Sequence, residues 1–299
     1  MPTMTTPSND FLHRFQLERA GVRGALVRLD ESWQRIRANS DHGGMLAELL
    51  GQTVAASALF TSSIKFEGRL SIHLRESGAL RLLFADCTHD GQLRGIARWD
   101  GDAPQSHVAL EPGARLAITI ENSATESRYQ GLVPVESGEL ATAFEGYFER
   151  SEQLPTRLVL AATDERCGGM LLQQIATTGG ATPSDADGWN RAEHLLATLT
   201  PDELLDLPPE QVLLRLFHEE GVRLQPALPL AFGCSCSRER VGDMLRSLGR
   251  EENDSVLAEQ GSVAITCEFC NRQYVFDESD VEAVFADEPP REEAGATRH

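Results

Sequence analysis

Four of the six cysteines in this chain stand in two close pairs, Cys234-Ser235-Cys236 and Cys267-Glu268-Phe269-Cys270. Thiolates are soft donors, and two close pairs on separate elements supply the four ligands that tetrahedral zinc (Zn2+) takes at Zn–S distances of about 2.3 Å. The second pair falls on a predicted hairpin turn, a usual metal knuckle. The first precedes a helix, whose N-terminal dipole favours thiolates. Three uses stay open on the residues alone. A zinc site can simply staple a small domain, although C-x-C is less usual than C-x-x-C for that purpose. A nucleic-acid-binding ribbon needs basic surface, whereas residues 231–286 carry eleven acids against five arginines. A dithiol oxidoreductase needs C-x-x-C to open a helix, whereas Tyr274-Val275-Phe276 here reads as a strand.

No other side chains fall into a catalytic pattern. The eight histidines are scattered, with no H-E-x-x-H spacing, and no Ser sits in a G-x-S-x-G context. Lys65 is the only lysine, so no phosphate-cradling loop ending in Lys-Ser/Thr exists and ATP-driven work is not expected. Gly43-Gly44 and Gly179-Gly180 lack the pattern of a dinucleotide loop. Cys87 and Cys167 read as small packing residues. The chain is expected not to be an enzyme.

The elements that must position the cysteines follow from periodicity. Strands are predicted within residues 70–74, 80–84, 116–120, 132–135 and 158–162, and helices over about 45–62 and from Ser137, the latter with Leu140, Phe144, Tyr147 and Phe148 on one face. Strands and helices mixed without a βαβ rhythm predict an α+β class. Residues 177–188 read as a loop by their Gly, Pro, Asp and Ser content. Behind them Thr200-Pro201-Asp202-Glu203 is a capping box with Pro at the first helical position. Pro208-Pro209-Glu210 opens another helix carrying Val212, Leu213, Leu216 and Phe217 on one side. Isolated helices this short are marginal in water, so they must borrow stability from a partner. Farther on, Ser237 can cap a helix with the stripe Val241, Met244, Leu245 and Leu248, ending at Gly249. A short helix fits residues 255–260, a hairpin fits 263–266 with 274–276, and Asp277 starts a last helix through Phe285. The tail from Asp287 reads as disordered.

Charge narrows the partners. With 27 Lys+Arg against 46 Asp+Glu among 299 residues, the formal net charge is −19, so phosphate backbones and anionic lipid are repelled. Neither nucleic acid nor membrane is an expected partner. The run from Met45 to Ile64 is interrupted by Glu48, Gln52 and several hydroxyls and reads as a buried helix. Residues 1–10 lack a basic start and an apolar stretch, which predicts a cytoplasmic protein with reduced thiols.

At the cysteines the chain resembles a known family. Phe232-Gly233-Cys234-Ser235-Cys236-Ser237-Arg238-Glu239-Arg240, and then Cys267-Glu268-Phe269-Cys270-Asn271-Arg272-Gln273-Tyr274-Val275-Phe276, is similar to the zinc signature of the bacterial heat shock protein 33 family of redox-regulated holdase chaperones. Tyr147-Phe148-Glu149-Arg150-Ser151-Glu152-Gln153-Leu154-Pro155-Thr156, Gly168-Gly169-Met170-Leu171-Leu172-Gln173 and Leu216-Phe217-His218-Glu219-Glu220 extend the resemblance over nearly the whole chain. The acidic tail and the loop around Asp185 to Gly188 depart from the pattern.

The resemblance implies an N-terminal substrate-binding domain (1–178), a metastable helical linker (179–230), a C-terminal zinc redox switch (231–286) and a tail (287–299). It implies zinc on Cys234, Cys236, Cys267 and Cys270, unfolded client proteins as partners, and a homodimer when oxidised. Oxidation is then expected to pair near neighbours, Cys234 with Cys236 and Cys267 with Cys270, expelling zinc. The linker helices are expected to lean on the zinc-binding domain and lose their support with the metal, so that the stripe of Val212, Leu213, Leu216 and Phe217 loses its partner and the apolar surface it covers on residues 11–178 is exposed. A structural zinc adaptor and a thiol-disulfide enzyme are the competing readings.

Overall fold

A computed structural model of the chain describes residues 10–40, 44–64, 66–101, 110, 114–135, 138–175, 185 and 187–286. Most of the loop expected at 177–188, Ser137, Lys65 and the tail from Asp287 lie outside the described residues. The chain divides after Gly233 into two compact units.

The first unit is built on a long helix that is apolar nearly all round. Helix α2 (Met45–Ser63) buries fourteen residues, and its buried hydroxyls bond back into the helix: Thr53 to the Leu49 carbonyl and Thr61 to the Ser57 carbonyl, both at 2.8 Å. A helix of that composition has to be covered on several sides. It packs against two antiparallel-rich sheets. In one, the strand order is β10 (Val222–Leu224), β1 (Phe11–Leu17), β2 (Val22–Leu29), β9 (Cys167–Gln174), β8 (Thr156–Ala162), with β11 (Leu228–Pro229) also on β1. The other runs β12 (Ala231–Phe232), β5 (Gln92–Trp99), β4 (Leu80–Thr88), β3 (Gly68–Ser77), β6 (Arg115–Asn122), β7 (Ser127–Pro134). Helix α1 (Glu31–Ala38) and helix α3 (Leu140–Tyr147), which runs into a π-helical turn at Phe148–Glu152, complete this layer. The α+β class holds. No helix among the described residues is long and apolar enough to cross a membrane.

The strand positions expected at 70–74, 80–84, 116–120 and 158–162 lie inside β3, β4, β6 and β8. The one expected at 132–135 belongs to a longer strand, β7, that starts at Ser127. Strands β1, β2, β5 and β9 were not expected. For β1, β2 and β9 the reason is visible in the first sheet, which is covered on both faces. Ala25, Val27 and Leu29 of β2 and Cys167 and Leu171 of β9 join the core around α2. Val22 and Leu26, with Met170 and Leu172, belong to a second core on the opposite face. A strand buried on both sides loses the apolar/polar alternation that marks a half-buried one. In β9 the pattern is thinned further by Gly168, where a Cβ would stand 2.8 Å from the Val27 carbonyl oxygen, so only glycine fits.

The second core is where the linker helices dock. Helices α4 (Gly188–Leu196), α5 (Pro201–Asp206) and α6 (Pro209–Phe217) cross this sheet face, and Val212, Leu213, Leu216 and Phe217 are all buried in it. Their apolar partners are Phe15, Leu17, Val22, Leu26, Met170 and Leu172, and Phe217 stacks on Phe15 with ring centroids 6.1 Å apart. The stripe therefore packs on the N-terminal sheet, within the residues 11–178 whose apolar surface it was expected to cover. The sheet had an unfilled apolar face, and the nearest chain able to cover it was the amphipathic segment that follows β9.

Arginines tie the helices down at their edges. Arg191 of α4 grips Glu220, 5% exposed at its side chain, through two 2.9 Å bonds and also meets Asp185. Arg157 of β8 meets Glu193 at 2.6 Å, Arg28 of β2 donates to the Leu207 carbonyl, and Arg166 meets Asp206 at 2.9 Å. The capping box forms as expected: Thr200 accepts from the Glu203 N–H, and the Thr200 N–H donates to the Glu203 carboxylate. Helix α4 itself was not expected, because its first residues fall in Gly- and Asp-rich sequence that reads as loop.

Candidate metal centre

The second unit has little apolar material. Helices α7 (Arg238–Leu248) and α8 (Arg250–Gln260), the hairpin β13 (Val263–Thr266) and β14 (Gln273–Phe276), and α9 (Glu278–Ala286) share a core of six buried residues: Val241, Leu245, Val263, Tyr274, Phe276 and Val281. Domains with cores this small usually need a metal or a disulfide to hold together. The expected stripe on α7 is only half right. Val241 and Leu245 point inward, whereas Met244 is 40% and Leu248 55% exposed. The buried arc of α7 runs through Val241, Gly242 and Leu245, with Val284 of α9 beside Gly242, and so turns away from Met244. Helix α8 starts five residues before the expected Ser255, because Asn253 ties it to the end of α7 by donating to the Leu245 and Gly249 carbonyls.

Each cysteine pair is set by local chemistry. Ser237 caps α7 by accepting from the Arg240 N–H, as expected, so Cys234 and Cys236 occupy the extended stretch just before the helix. The Arg240 guanidinium donates to the Ser235 carbonyl between them. Arg238 lies 4.2 Å over the Phe276 ring, donates to the Val275 carbonyl and pairs with Asp280 at 2.7 Å, which fixes that stretch to β14 and α9. The second pair occupies the turn of the hairpin. The Cys267 N–H donates to the Arg272 carbonyl and the Asn271 N–H to the Cys267 carbonyl, with Asn271 at φ 55°. Asparagine tolerates that left-handed conformation better than most residues.

These elements bring the four sulfurs together. All four Sγ atoms lie within 4.8 Å of one another, Cys234 3.6 Å from Cys267 and Cys236 3.4 Å from Cys270. A tetrahedron with metal–sulfur bonds near 2.3 Å has edges of about 3.8 Å. The donor set, its size and its near-tetrahedral spacing therefore fit a thiophilic ion such as zinc.

Four thiols this close cannot all ionise without a cation among them. Burial opposes ionisation of Cys236, but a hydrogen bond from the Tyr274 hydroxyl at 3.1 Å and the neighbouring thiols outweigh it and bring the thiol down to about 7. Burial and the other sulfurs push Cys270 up to about 12, and burial also raises Cys234. Bound metal would remove this competition by holding every sulfur as thiolate. Cys87 and Cys167 lie in the first unit as packing residues: burial pushes Cys87 up to about 12 and Cys167 well above the usual thiol range. Tyr274 and the sheet residues under the linker escaped the sequence reading. The alternation of β14 placed Tyr274 inward, but nothing local said that its hydroxyl would meet a sulfur.

Comparison with known proteins agrees with this geometry. The family described as Hsp33 protein matches residues 10–277. A 33 kDa chaperonin of Nitrosococcus oceani is 43% identical over 293 residues, covering 98% of this chain and 99% of that protein. One from Chromobacterium violaceum is 42% identical over 285 residues, covering 94% and 96%. The crystal structure of a 33 kDa chaperonin from Thermotoga maritima shares the fold with a TM-score of 0.80 at 22% identity, over 93% of this chain and 98% of that one. A match that runs through both units and includes all four clustered cysteines has one meaning: the chain belongs to the Hsp33 family of chaperones.

Proposed function

We propose that the protein is an ATP-independent holdase, acting as a chaperone and not as a catalyst, whose grip on unfolding clients is switched by the thiol state of the four-cysteine centre. In the reduced form Cys234, Cys236, Cys267 and Cys270 hold one zinc ion, and client binding is off. Oxidation forms two disulfides, Cys234–Cys236 and Cys267–Cys270, and the metal leaves. Zinc binding contributes about 10–16 kcal/mol in small tetrahedral sites, as much as the roughly 5–15 kcal/mol that holds a whole domain together. Its loss unfolds residues 231–286. The sulfurs then choose partners as a flexible chain would, so closeness in sequence decides the pairing.

The linker, residues 179–230, converts that loss into binding surface. Cys234 follows β12 by one residue, and Gly233 still bonds to the Leu93 carbonyl at 2.9 Å. Fraying from Cys234 backward frees β12, β11 and β10 and then the helices ahead of them. The sheet face on residues 1–178 is then uncovered. The single observation that carries the reading is this face: an apolar surface centred on Phe15, Val22, Leu26 and Leu172, covered by helices of nine, six and nine residues that cannot persist unpacked. Exposed apolar area of that kind captures unfolding chains without nucleotide. A homodimer of the oxidised form and a cytoplasmic setting, where thiols start reduced, complete the proposal. The test compares reduced and peroxide-treated protein for zinc content and for suppression of a client's aggregation. Zinc loss together with gained protection is expected. Protection that is equal in both forms leaves only a structural zinc site, and turnover of a dithiol substrate points to a thiol-disulfide enzyme.

A further inference from the structure

We propose that the outer edge of β7 is a client-binding site, at which an extended segment of an unfolding chain adds to the second sheet as a seventh strand. The inference rests on reading the protein as a holdase, and it names a contact separate from the face beneath the linker helices. β7 closes one end of its sheet and pairs with β6 alone. The Val135 N–H donates to the Ala114 carbonyl at 2.9 Å, which sets the phase of that ladder. Opposed residues of an antiparallel pair alternate between bonding each other and pointing away. Tyr129, Gly131 and Val133 therefore bond to β6, while Arg128, Gln130 and Leu132 turn their N–H and C=O groups outward. Among the described residues nothing in the chain bonds those six groups. The other long edge is guarded. β8 turns the Leu158 N–H outward in the same way, and there the Glu145 carboxylate of α3 accepts it at 2.8 Å. The edge strands β10 and β12 are only three and two residues long.

A long open edge templates pairing with another chain, and soluble proteins blunt it with charge, bulges or cover. β7 runs eight residues in unbroken register, and its stretch from Tyr129 to Val133 carries no charge. Tyr129 is 50% and Leu132 59% exposed. Three donors and three acceptors in a row recognise main chain before side chain, which suits a partner with no fixed sequence. An unfolding chain supplies what this edge lacks: unpaired amides in an extended segment, with apolar side chains to lie against Leu132 and Tyr129. A second copy of the chain fits less well. Pairing Gln130 with its own symmetry mate sets Arg128 across from Leu132, which complements neither charge nor apolar area. Each copy also carries a net charge of −19. A few main-chain bonds alone hold a peptide weakly, so the edge by itself does not switch client binding on. Once the linker uncovers the apolar face of the first sheet, a client held there meets β7 as a tethered partner. Two linked contacts of this kind bind roughly 10²–10⁴-fold tighter than either alone.

The test is hydrogen exchange resolved by residue on the full-length oxidised protein, with and without reduced, carboxymethylated lactalbumin, an acidic chain that stays unfolded. The amides of Arg128, Gln130 and Leu132 should exchange fast in the protein alone and about tenfold or more slower with lactalbumin bound. Those of Gly131 and Val133, bonded to β6, should be protected in both. Gln130→Pro removes an outward N–H and no ladder bond, so it should weaken lactalbumin binding about tenfold. Gln130→Thr keeps the N–H and should bind as the unaltered protein does. Unchanged exchange at residues 128, 130 and 132 with lactalbumin bound overturns the proposal, and so does equal binding by the two Gln130 variants. Protection that is present without lactalbumin and grows with protein concentration gives the edge to a second copy and overturns it too. If the oxidised protein binds no lactalbumin, the proposed function falls together with this inference; binding that leaves the three amides unprotected removes the inference alone.

Discussion

Leu216→Asp puts the linker's role to a quantitative test. Leu216 is 2% exposed and sits in the core formed by α4–α6 and the sheet face of Phe15, Leu17, Val22 and Leu26. Removing a buried leucine side chain costs about 2–5 kcal/mol, and a carboxylate set there without a partner adds a desolvation penalty. Even about 3 kcal/mol lowers the ratio of docked to undocked linker by roughly a hundredfold, at 1.4 kcal/mol per tenfold. Leu216 is not part of the core around α2, so the body of the first unit should stay folded. The assay has two readings on reduced, zinc-loaded protein. Hydrogen exchange should accelerate by roughly the same hundredfold at the amides of residues 213–217 while those of α2 remain protected. Aggregation of a heat-labile client should be suppressed by the variant and not by the unaltered protein. An opened linker over an intact α2 that protects no client would refute the gating argument outright, and a constitutively active variant would leave zinc as a remote latch on this interface.

Three further expectations follow from other contacts. The Arg215 guanidinium beside Glu203, together with the Thr200 N–H, holds that carboxyl down at about 2 from an ordinary 4.5; a depressed carboxyl stabilises the fold above its unfolded value and loses that contribution as pH falls from about 4.5 through 2, so urea midpoints at pH 6 and pH 3 should differ less in Glu203→Gln than in the unaltered protein. Gly188 opens α4 against the Ala20 backbone, where a Cβ would stand 2.6 Å from Cα; Gly188→Ala should loosen the linker by about 1–3 kcal/mol, seen as a faster exchange of α4 amides with α2 unaffected. Replacing any one of Cys234, Cys236, Cys267 or Cys270 by Ser should weaken zinc binding through loss of a thiolate, measured by competition with a chromogenic chelator, whereas Cys87→Ser should leave it unchanged.

The cysteine centre was legible because its information is local. Spacing, the Ser237 cap and the hairpin around Cys267 and Cys270 are each decided within a few residues, and so is the capping box at Thr200. The apolar stripe of α6 was legible too, but the individual residues it packs on were not, since Phe15 and Phe217 lie some two hundred positions apart in sequence and meet only once the sheet exists. Strands β2 and β9 were hidden by burial on both faces, which replaces alternation with near-continuous apolar runs. On α7 the stripe failed at Met244 and Leu248 because the buried arc runs through Val241, Gly242 and Leu245, a side that helical spacing of large apolar residues does not mark. Sequence patterns thus located the cysteine cluster and helices α5 and α6, while the residues those helices cover had to come from tertiary packing.

The central claim is that losing the metal undocks helices α4, α5 and α6, which end at Leu196, Asp206 and Phe217, well upstream of Cys234. Hydrogen exchange resolved by residue, on reduced zinc-loaded protein and on peroxide-oxidised metal-free protein side by side, tests it most directly. Amides of α4, α5 and α6 should be protected in the first sample and exchange near the rate of an unfolded chain in the second, while α2 stays protected in both. Linker amides equally protected in both samples, with residues 238–286 unfolded in the oxidised one, would contradict the account.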